Sequence, residues 1–342
     1  MARPRIVFRC DASPEIGGGH VVRCMALAHA FRAVGAEVTF AVSDETPRTV
    51  PELAAQFPET ARGFTGETAE LERLEPVDVI VIDHYGLGFE YEVAASSVSD
   101  RLLVIDDFPN RQHAATHLVD TTHGRVAAEY APVVGKDTVV MCGSDYAMLR
   151  PPFRARRPVE TTAPTPPLNI LATFGMTDSH NVSGMAAEAL SDFAREMSLS
   201  FVLGASAPHL YALRNTIRKM GHDWRIVTDA DAEQMAELTA KADLVIGAPG
   251  SASYERCCLG KPTLLVQVAD NQAGNAASLV EAGAARLVGS VPHVGPAEIG
   301  EAVSELLSQP EELGRMSAAA LRVTDGNGVD RIVAATLTPD GR

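Results

Sequence analysis

No run of roughly 20 unbroken apolar residues occurs in the 342-residue sequence, so nothing in it reads as a membrane-spanning helix. The start, MARPRIVFRC, carries charge but no long apolar stretch and no small-residue cleavage site, so no signal peptide is expected. Paired cysteines are missing too. Cys10, Cys24, Cys142, Cys257 and Cys258 are odd in number and none has CxxC spacing. Reduced thiols in a cytoplasmic protein are the expectation, rather than a disulfide framework. Positive charge is in short supply: 29 Lys and Arg stand against 44 Asp and Glu, a net charge of −15. A general nucleic-acid or anionic-membrane binder needs a positive field, so both classes are excluded. A phosphorylated ligand stays open, because helix N-termini and a few arginines can hold one diphosphate locally. Tandem repeats are also absent.

What is present is enough apolar material, 46% of residues, for two ordinary cores. The length exceeds what one core sustains, so two domains are expected. Apolar strand-like runs alternate with helical segments along the whole chain, the pattern of parallel α/β architecture. The first series is Arg5–Asp11, Glu37–Asp44, Val77–Tyr85, Leu102–Asp107, His117–Thr121 and Thr138–Gly143. The second is Leu168–Phe174, Leu199–Gly204, Trp224–Thr228, Leu244–Gly247, Thr263–Val268 and Ala285–Val288. Helices are expected at His20–Val34 and, in the second half, around Val182–Met197, His209–Met220, Ala232–Lys241, Asn271–Ala282 and Pro296–Leu307. Between the halves lies Pro151–Pro167, whose six prolines deny continuous helix or sheet and mark a linker. Domains of 1–155 and 156–342 follow. Both are Rossmann-like, with parallel sheets facing an interdomain cleft where strand C-termini would present a ligand.

The stretch RIVFRCDASPEIGGGHVVRCMALAHAF reads strand, loop, helix. No Gly-Lys-Ser/Thr follows its glycines, and Val22 stands where a dinucleotide fingerprint needs a third glycine. Gly18 and Gly19 still allow backbone N–H groups to approach an anion, and the helix adds a positive end there. That end favours the uncharged ring of His20, the form able to act as a base. At helical pitch His20 and Arg23 lie about 60° apart, on a face that could line a cleft, whereas His29 and Arg32 suit solvent. Gly17–Gly19 as a tight turn with His20 as a cap is the plainer alternative.

A second strand–loop–helix, LVIGAPGSASYE, places Ser251 and Ser253 at a helix start and Glu255 one turn in. The serines offer hydroxyls and N–H groups, and Glu255 could accept from vicinal ribose hydroxyls. An ordinary capped helix explains the same residues as well. Gly175 ends another strand and could carry a phosphate-facing N–H; Asn271 follows a strand and is more often a helix cap. Asp229-Ala-Asp231 matches a metal-binding DxD pattern, but an N-cap aspartate is expected at that point. His113 and His117 have helical metal-ligand spacing, which an apparent strand at His117 breaks. Asp106 and Asp107 end a strand and are expected to shape a turn, with a smaller prospect of function.

These motifs together look familiar. RCDASPEIGGGHVVRCMALA resembles the Arg-x-Asp-x5-Gly-x-Gly-His-x2-Arg-x3-Leu-Ala motif of the UDP-2,4-diacetamido-2,4,6-trideoxy-β-L-altropyranose hydrolases of pseudaminic acid biosynthesis. Further matches are VIDHYGL (81–87), VIDDFPNRQHAATHLVD (104–120), GSDYAMLRPPF (143–153), GAPGSASYERCCLGKP (247–262) and Asn271-Gln272. The second half also resembles the UDP-GlcNAc-binding domain of the lipid II-forming transferase, which shares the GT-B fold. The resemblance implies hydrolysis of a UDP-sugar to free sugar and UDP, with no cofactor and no metal. It implies His20 as the base for water, Tyr85 and Asn271 as positioning groups, Arg150 as a nucleotide or phosphate contact and Glu255 at the ribose. An inverting glycosyltransferase is the competing reading, and a monomer without nucleic-acid or membrane partners is expected. The chain departs from the pattern at Phe174-Gly175-Met-Thr-Asp178, at Pro249 and at Gly88.

Overall fold

The computed structural model describes residues 3–13, 15–161, 164, 167–193, 197–220 and 224–338. The chain divides into two compact units, 1–149 with 327–342, and 150–326. The first contains β1 (Arg5–Cys10), α1 (Gly19–Ala33), β2 (Glu37–Ala41), α2 (Thr46–Thr49), α3 (Pro51–Gln56) and β3 (Val77–Asp83). It continues with α4 (Phe89–Ala95), β4 (Ser99–Ile105), β5 (His117–Asp120) and β6 (Val139–Cys142). The second opens with α5 (Pro151–Ala155), β7 (Leu168–Thr173), α6 (Val182–Ala189), β8 (Met197–Leu203), α7 (Leu210–Met220) and β9 (Arg225–Thr228). There follow α8 (Ala232–Lys241), β10 (Leu244–Gly247), α9 (Ala252–Cys258), β11 (Thr263–Gln267), α10 (Ala273–Glu281), β12 (Ala285–Ser290), α11 (Pro296–Leu307) and α12 (Pro310–Val323). The last helix, α13 (Gly328–Leu337), returns to the first unit.

Each unit holds a six-stranded sheet in which every pairing is parallel. Parallel strands bury both faces, which is why β1 and β3 read as continuous apolar runs rather than alternating ones. The first sheet has the order β2-β1-β3-β4-β5-β6, and the second β12-β11-β10-β7-β8-β9. Strand order therefore reverses between β1 and β3 in one unit, and between β7 and β10 in the other. In doubly wound sheets a ligand crevice opens at that reversal, beyond the strand C-termini. Register brings Cys10 beside Asp83 at the first reversal and Thr173 beside Gly247 at the second.

All twelve expected strands are present. The helix expected over Val182–Met197 is shorter: α6 stops at Ala189, Met197 already belongs to β8, and 194–196 lie outside the described residues. The domain boundary also differs from 155/156. Pro151–Ala155 forms a short helix whose two leading prolines occupy its first turn, where no N–H is needed. Phe153 is fully buried with Ala236 and Leu259, so this part of the expected linker is core of the second unit; 162, 163, 165 and 166 are not described. At the other end, Val329, Ile332 and Val333 of α13 join Phe8, Leu27 and Phe31 in the first unit's core. Arg331 donates to the Asp145 carbonyl at 2.8 Å, and Arg101 to that of Thr336 at 2.7 Å. An apolar helix face follows the core that lacks it, and here that core is the N-terminal one. His29 and Arg32 likewise do not face open solvent. The His29 ring packs on Phe57 at 5.1 Å and bonds Gln56, while the Arg32 guanidinium lies 3.9 Å from the Phe57 ring centroid.

Candidate active site

At the first reversal the chain leaves β1 through Asp11 and turns at Gly17, whose φ of +73° is a left-handed conformation suited to glycine. Gly17 N–H closes the turn on the Ser13 carbonyl at 2.8 Å; Pro14 within it is not described. Gly18 is the N-cap of α1 and Gly19 its first residue, so His20 stands in the first turn as expected. What the sequence did not reveal is its partner. His20 Nδ1 lies 2.6 Å from Oδ1 of Asp83, the last residue of β3. Arg23 donates to the same carboxylate through Nε at 2.6 Å and Nη2 at 2.7 Å, and through Nη1 to both oxygens of Asp107 at 3.0 Å.

Asp83 is buried completely, which alone would push its carboxyl up. The Arg23 guanidinium and His20 outweigh burial and hold it well below the usual carboxylate range. Asp83 is therefore ionised and accepts. Nδ1 of His20 also stands 3.3 Å from Arg23 Nη2, but the carboxylate is closer, so the proton of the ring sits on Nδ1. In the neutral ring this tautomer leaves Nε2 with its lone pair. Tyr85 closes the group: its ring meets the His20 ring edge-on at 4.7 Å, and its hydroxyl donates to Asp107 Oδ2 at 2.7 Å. Burial and then the Asp107 charge raise the Tyr85 phenol, which stays protonated. His20, Arg23 and Tyr85 are thus assembled as one cluster with Asp83 and Asp107. The strand-ending acid of VIDHYGL was the available signal for Asp83. Asp107 does more than shape a turn, because it anchors both Arg23 and Tyr85.

At the second reversal, Gly175 has a φ of +90° and open space beside its α-carbon, so its backbone is approachable from solvent. The turn from Ala248 to Ser251 leads into α9. Ser251 makes no side-chain capping bond to that helix. Asn275, which the sequence did not single out, props the turn by donating to the carbonyls of Pro249 at 2.9 Å and Gly250 at 3.3 Å. Tyr254 in turn donates to Asn275 at 2.7 Å. Asn271 is exposed in a short 3-10 turn at the end of β11. Ser253 departs from expectation: it is 2% exposed, and its hydroxyl oxygen accepts from Arg256 Nη2 at 2.7 Å. Glu255 departs as well. Arg150 grips it bidentately, Nε to Oε1 at 2.7 Å and Nη2 to Oε2 at 2.9 Å. That pair leaves Glu255 only its outer lone pairs for a ligand.

The two metal-like patterns have structural explanations. Asp231 caps α8 by accepting from the Gln234 N–H at 2.8 Å. His113 is buried between Glu92 at 2.8 Å and Asp106 at 2.9 Å, and their charges outweigh burial to raise it to about 9. Among the described residues no helix is long and apolar enough to cross a membrane.

Comparison with known proteins agrees with this architecture. Residues 218–332 match the glycosyltransferase family 28 C-terminal domain. The crystal structure of MurG from Acinetobacter baumannii covers 98% of this chain and 100% of its own, with a TM-score of 0.67 at 16% identity. The fold defines the class, a two-domain GT-B architecture, whose second unit carries most of the stretch similar to the family 28 domain. Within that class the chain is similar to the UDP-2,4-diacetamido-2,4,6-trideoxy-β-L-altropyranose hydrolase of Campylobacter jejuni, the family its motifs resemble. The two are 25% identical over 82% of this chain and 97% of the relative. The spore coat polysaccharide biosynthesis protein SpsG of Bacillus subtilis is also 25% identical, over 95% of each chain.

Proposed function

We propose that the chain hydrolyses a UDP-activated 2,4-diacetamido-2,4,6-trideoxy sugar to the free sugar and UDP, with His20 as the base. The observation that carries this is the 2.6 Å contact between His20 Nδ1 and the buried Asp83 carboxylate, which leaves Nε2 as a fixed acceptor. Water attacks the anomeric carbon, and its proton passes to Nε2. The bond from that carbon to the diphosphate oxygen breaks, and its electron pair leaves with UDP. Configuration inverts, because nucleophile and leaving group lie on opposite faces. Asp83 stabilises the imidazolium as it forms, and the Tyr85 hydroxyl, held by Asp107, positions water or sugar. The relative from Campylobacter, whose name states this activity, supports the substrate.

In the second unit, Gly175 and Ser251 offer backbone N–H groups to the nucleotide and Glu255 holds the ribose through the lone pairs Arg150 leaves; in the first, Gly18 and Gly19 offer theirs to an anion. Arg150 then orients Glu255 rather than reaching a phosphate itself. Charge on the departing diphosphate is met by protein groups, so no divalent cation is required. The second reading, an inverting glycosyltransferase, is favoured by the family 28 domain and would set the same base against an acceptor hydroxyl.

Purified protein in EDTA, given the UDP-2,4-diacetamido-6-deoxy sugar and no acceptor, should release UDP. No release without an acceptor would overturn hydrolysis in favour of transfer. His20→Ala should lower kcat by roughly 10³-fold with little change in UDP affinity, in the range of general-base catalysis. Normal turnover by that variant would remove His20 from the mechanism.

A further inference from the structure

Among the described residues three arginines are buried, Arg9 on β1, Arg23 on α1 and Arg256 on α9, and two of them have acids. Arg9 lies 2.8 Å from Asp11, and Arg23 is shared by Asp83 and Asp107. Arg256 is different. It is 3% exposed, and among the described residues no carboxylate is within ion-pair distance of it. Its neighbour in sequence, Glu255, has both oxygens engaged by Arg150. The guanidinium donates through Nη2 to the Ala248 carbonyl and to Ser253 Oγ, each at 2.7 Å, and its Nε has no partner. A buried charge without a counterion is costly and persists where something repays it. Burial lowers this guanidinium only to about 10, so it remains a cation at neutral pH.

Its place is also built. Gly247 ends β10 at the strand reversal, and a Cβ there would lie 2.9 Å from Arg256 Nη1 and 2.9 Å from the Thr173 carbonyl. Gly247 therefore makes room for the charge at the point where β7 and β10 part, directly behind the Ala248–Ser253 turn. Two carbonyl or hydroxyl oxygens could be held as well by a neutral donor. What a neutral donor cannot supply is the field.

We propose that Arg256 is the resident countercharge for the diphosphate of the nucleotide, a positioning residue acting through the Ala248–Ser253 turn. This rests on the UDP-sugar reading of the same site. The guanidinium ties back the Ala248 carbonyl and the Ser253 oxygen, so the turn presents N–H groups rather than oxygens to the ligand. Its uncompensated charge then favours an anion in front of them. Arg150 and Glu255 cancel one another, which leaves Arg256 as the net charge of the group.

The test is calorimetric titration of the full chain with UDP and with uridine. Arg256→Met should weaken UDP by roughly 10- to 100-fold, the effect of one charge at short range in a partly buried site, and uridine by less than about 3-fold. Arg256→Lys should keep most of the difference between the two ligands. If the Met variant does not fold, Arg256→Gln, which keeps a donor for the Ala248 carbonyl, carries the same comparison. Equal losses for UDP and uridine, or unchanged UDP binding, would reduce Arg256 to a prop for the turn and overturn the proposal. A wild-type chain that binds neither ligand would overturn the nucleotide reading as well, so the two failures are separable.

Discussion

The two strand reversals have the same geometry and opposite electrostatics. Between β1 and β3, one guanidinium and one imidazole meet two carboxylates, and each carboxylate accepts from a side chain within 3.0 Å. Between β7 and β10, the acid is neutralised by Arg150 while the buried Arg256 has no acid. A saturated cluster holds side chains rigidly and fixes a tautomer, which is what a proton acceptor needs. An unsaturated cation favours an anion, and that place is the one proposed above for the diphosphate. Two six-stranded parallel sheets of different strand order thus balance charge differently where that order reverses.

Breaking the saturated side should show the largest effect. Asp83→Asn keeps the shape but removes the ionised acceptor, so the His20 tautomer is no longer enforced. We expect kcat to fall by roughly 10²- to 10³-fold, measured as UDP release. Chemical denaturation should show a stability loss of about 3 kcal/mol from disrupting a buried pair. Wild-type kcat in this variant would mean that the His20–Asp83 contact is structural only.

A subtler probe of the same unit is pH. His113 is raised to about 9 between Glu92 and Asp106, above the unfolded value of about 6.5. A raised basic group stabilises the fold fully below about 6.5, and its contribution is lost as pH rises through about 9. The unfolding free energy from urea titration should therefore decline between pH 7 and 10 in wild type, by an amount on the order of a few kcal/mol, and flatten in His113→Gln. Parallel slopes in the two proteins would refute the linkage. The smallest effect is expected from Tyr85→Phe, which loses one hydrogen bond to Asp107 while Arg23 still pairs with that acid. About 1 kcal/mol of transition-state stabilisation, seen as a few-fold drop in kcat/KM, is the expected outcome. A loss above 100-fold would make Tyr85 a participant in proton transfer rather than a positioning group.

Much of this was legible in the sequence because parallel strands bury both faces. Their apolar runs are continuous, and each ends where glycine, serine or acid begins, as in VIDHYGL and LVIGAPGS. His20 and Tyr85, singled out from separate motifs, lie side by side. The pairing of His20 with Asp83 was not readable, since it depends on β1 lying beside β3 with Cys10 in register with Asp83. Arg256 was equally hidden. Its position among Tyr254, Cys257 and Cys258, all buried, is a local hint of an inward face, but the absence of an acid near it is a three-dimensional fact. The expected free hydroxyl of Ser253 failed for the same reason: its partner is one helical turn away and could be read as solvent-facing.

The return of α13 to the first unit has a consequence for how the protein is made. Phe8 and Phe31 are synthesised before 150–326, yet Ile332 and Val333, which share their core, are synthesised only after the whole of it. The second unit is a contiguous segment and can close its own core as soon as it is complete. The first must wait, with an apolar flank open, for a segment made only after 150–326. Its assembly is limited by long-range closure rather than by local propensity. A ribosome stalled before Gly328 would hold a finished second unit beside a first unit that is still vulnerable to aggregation.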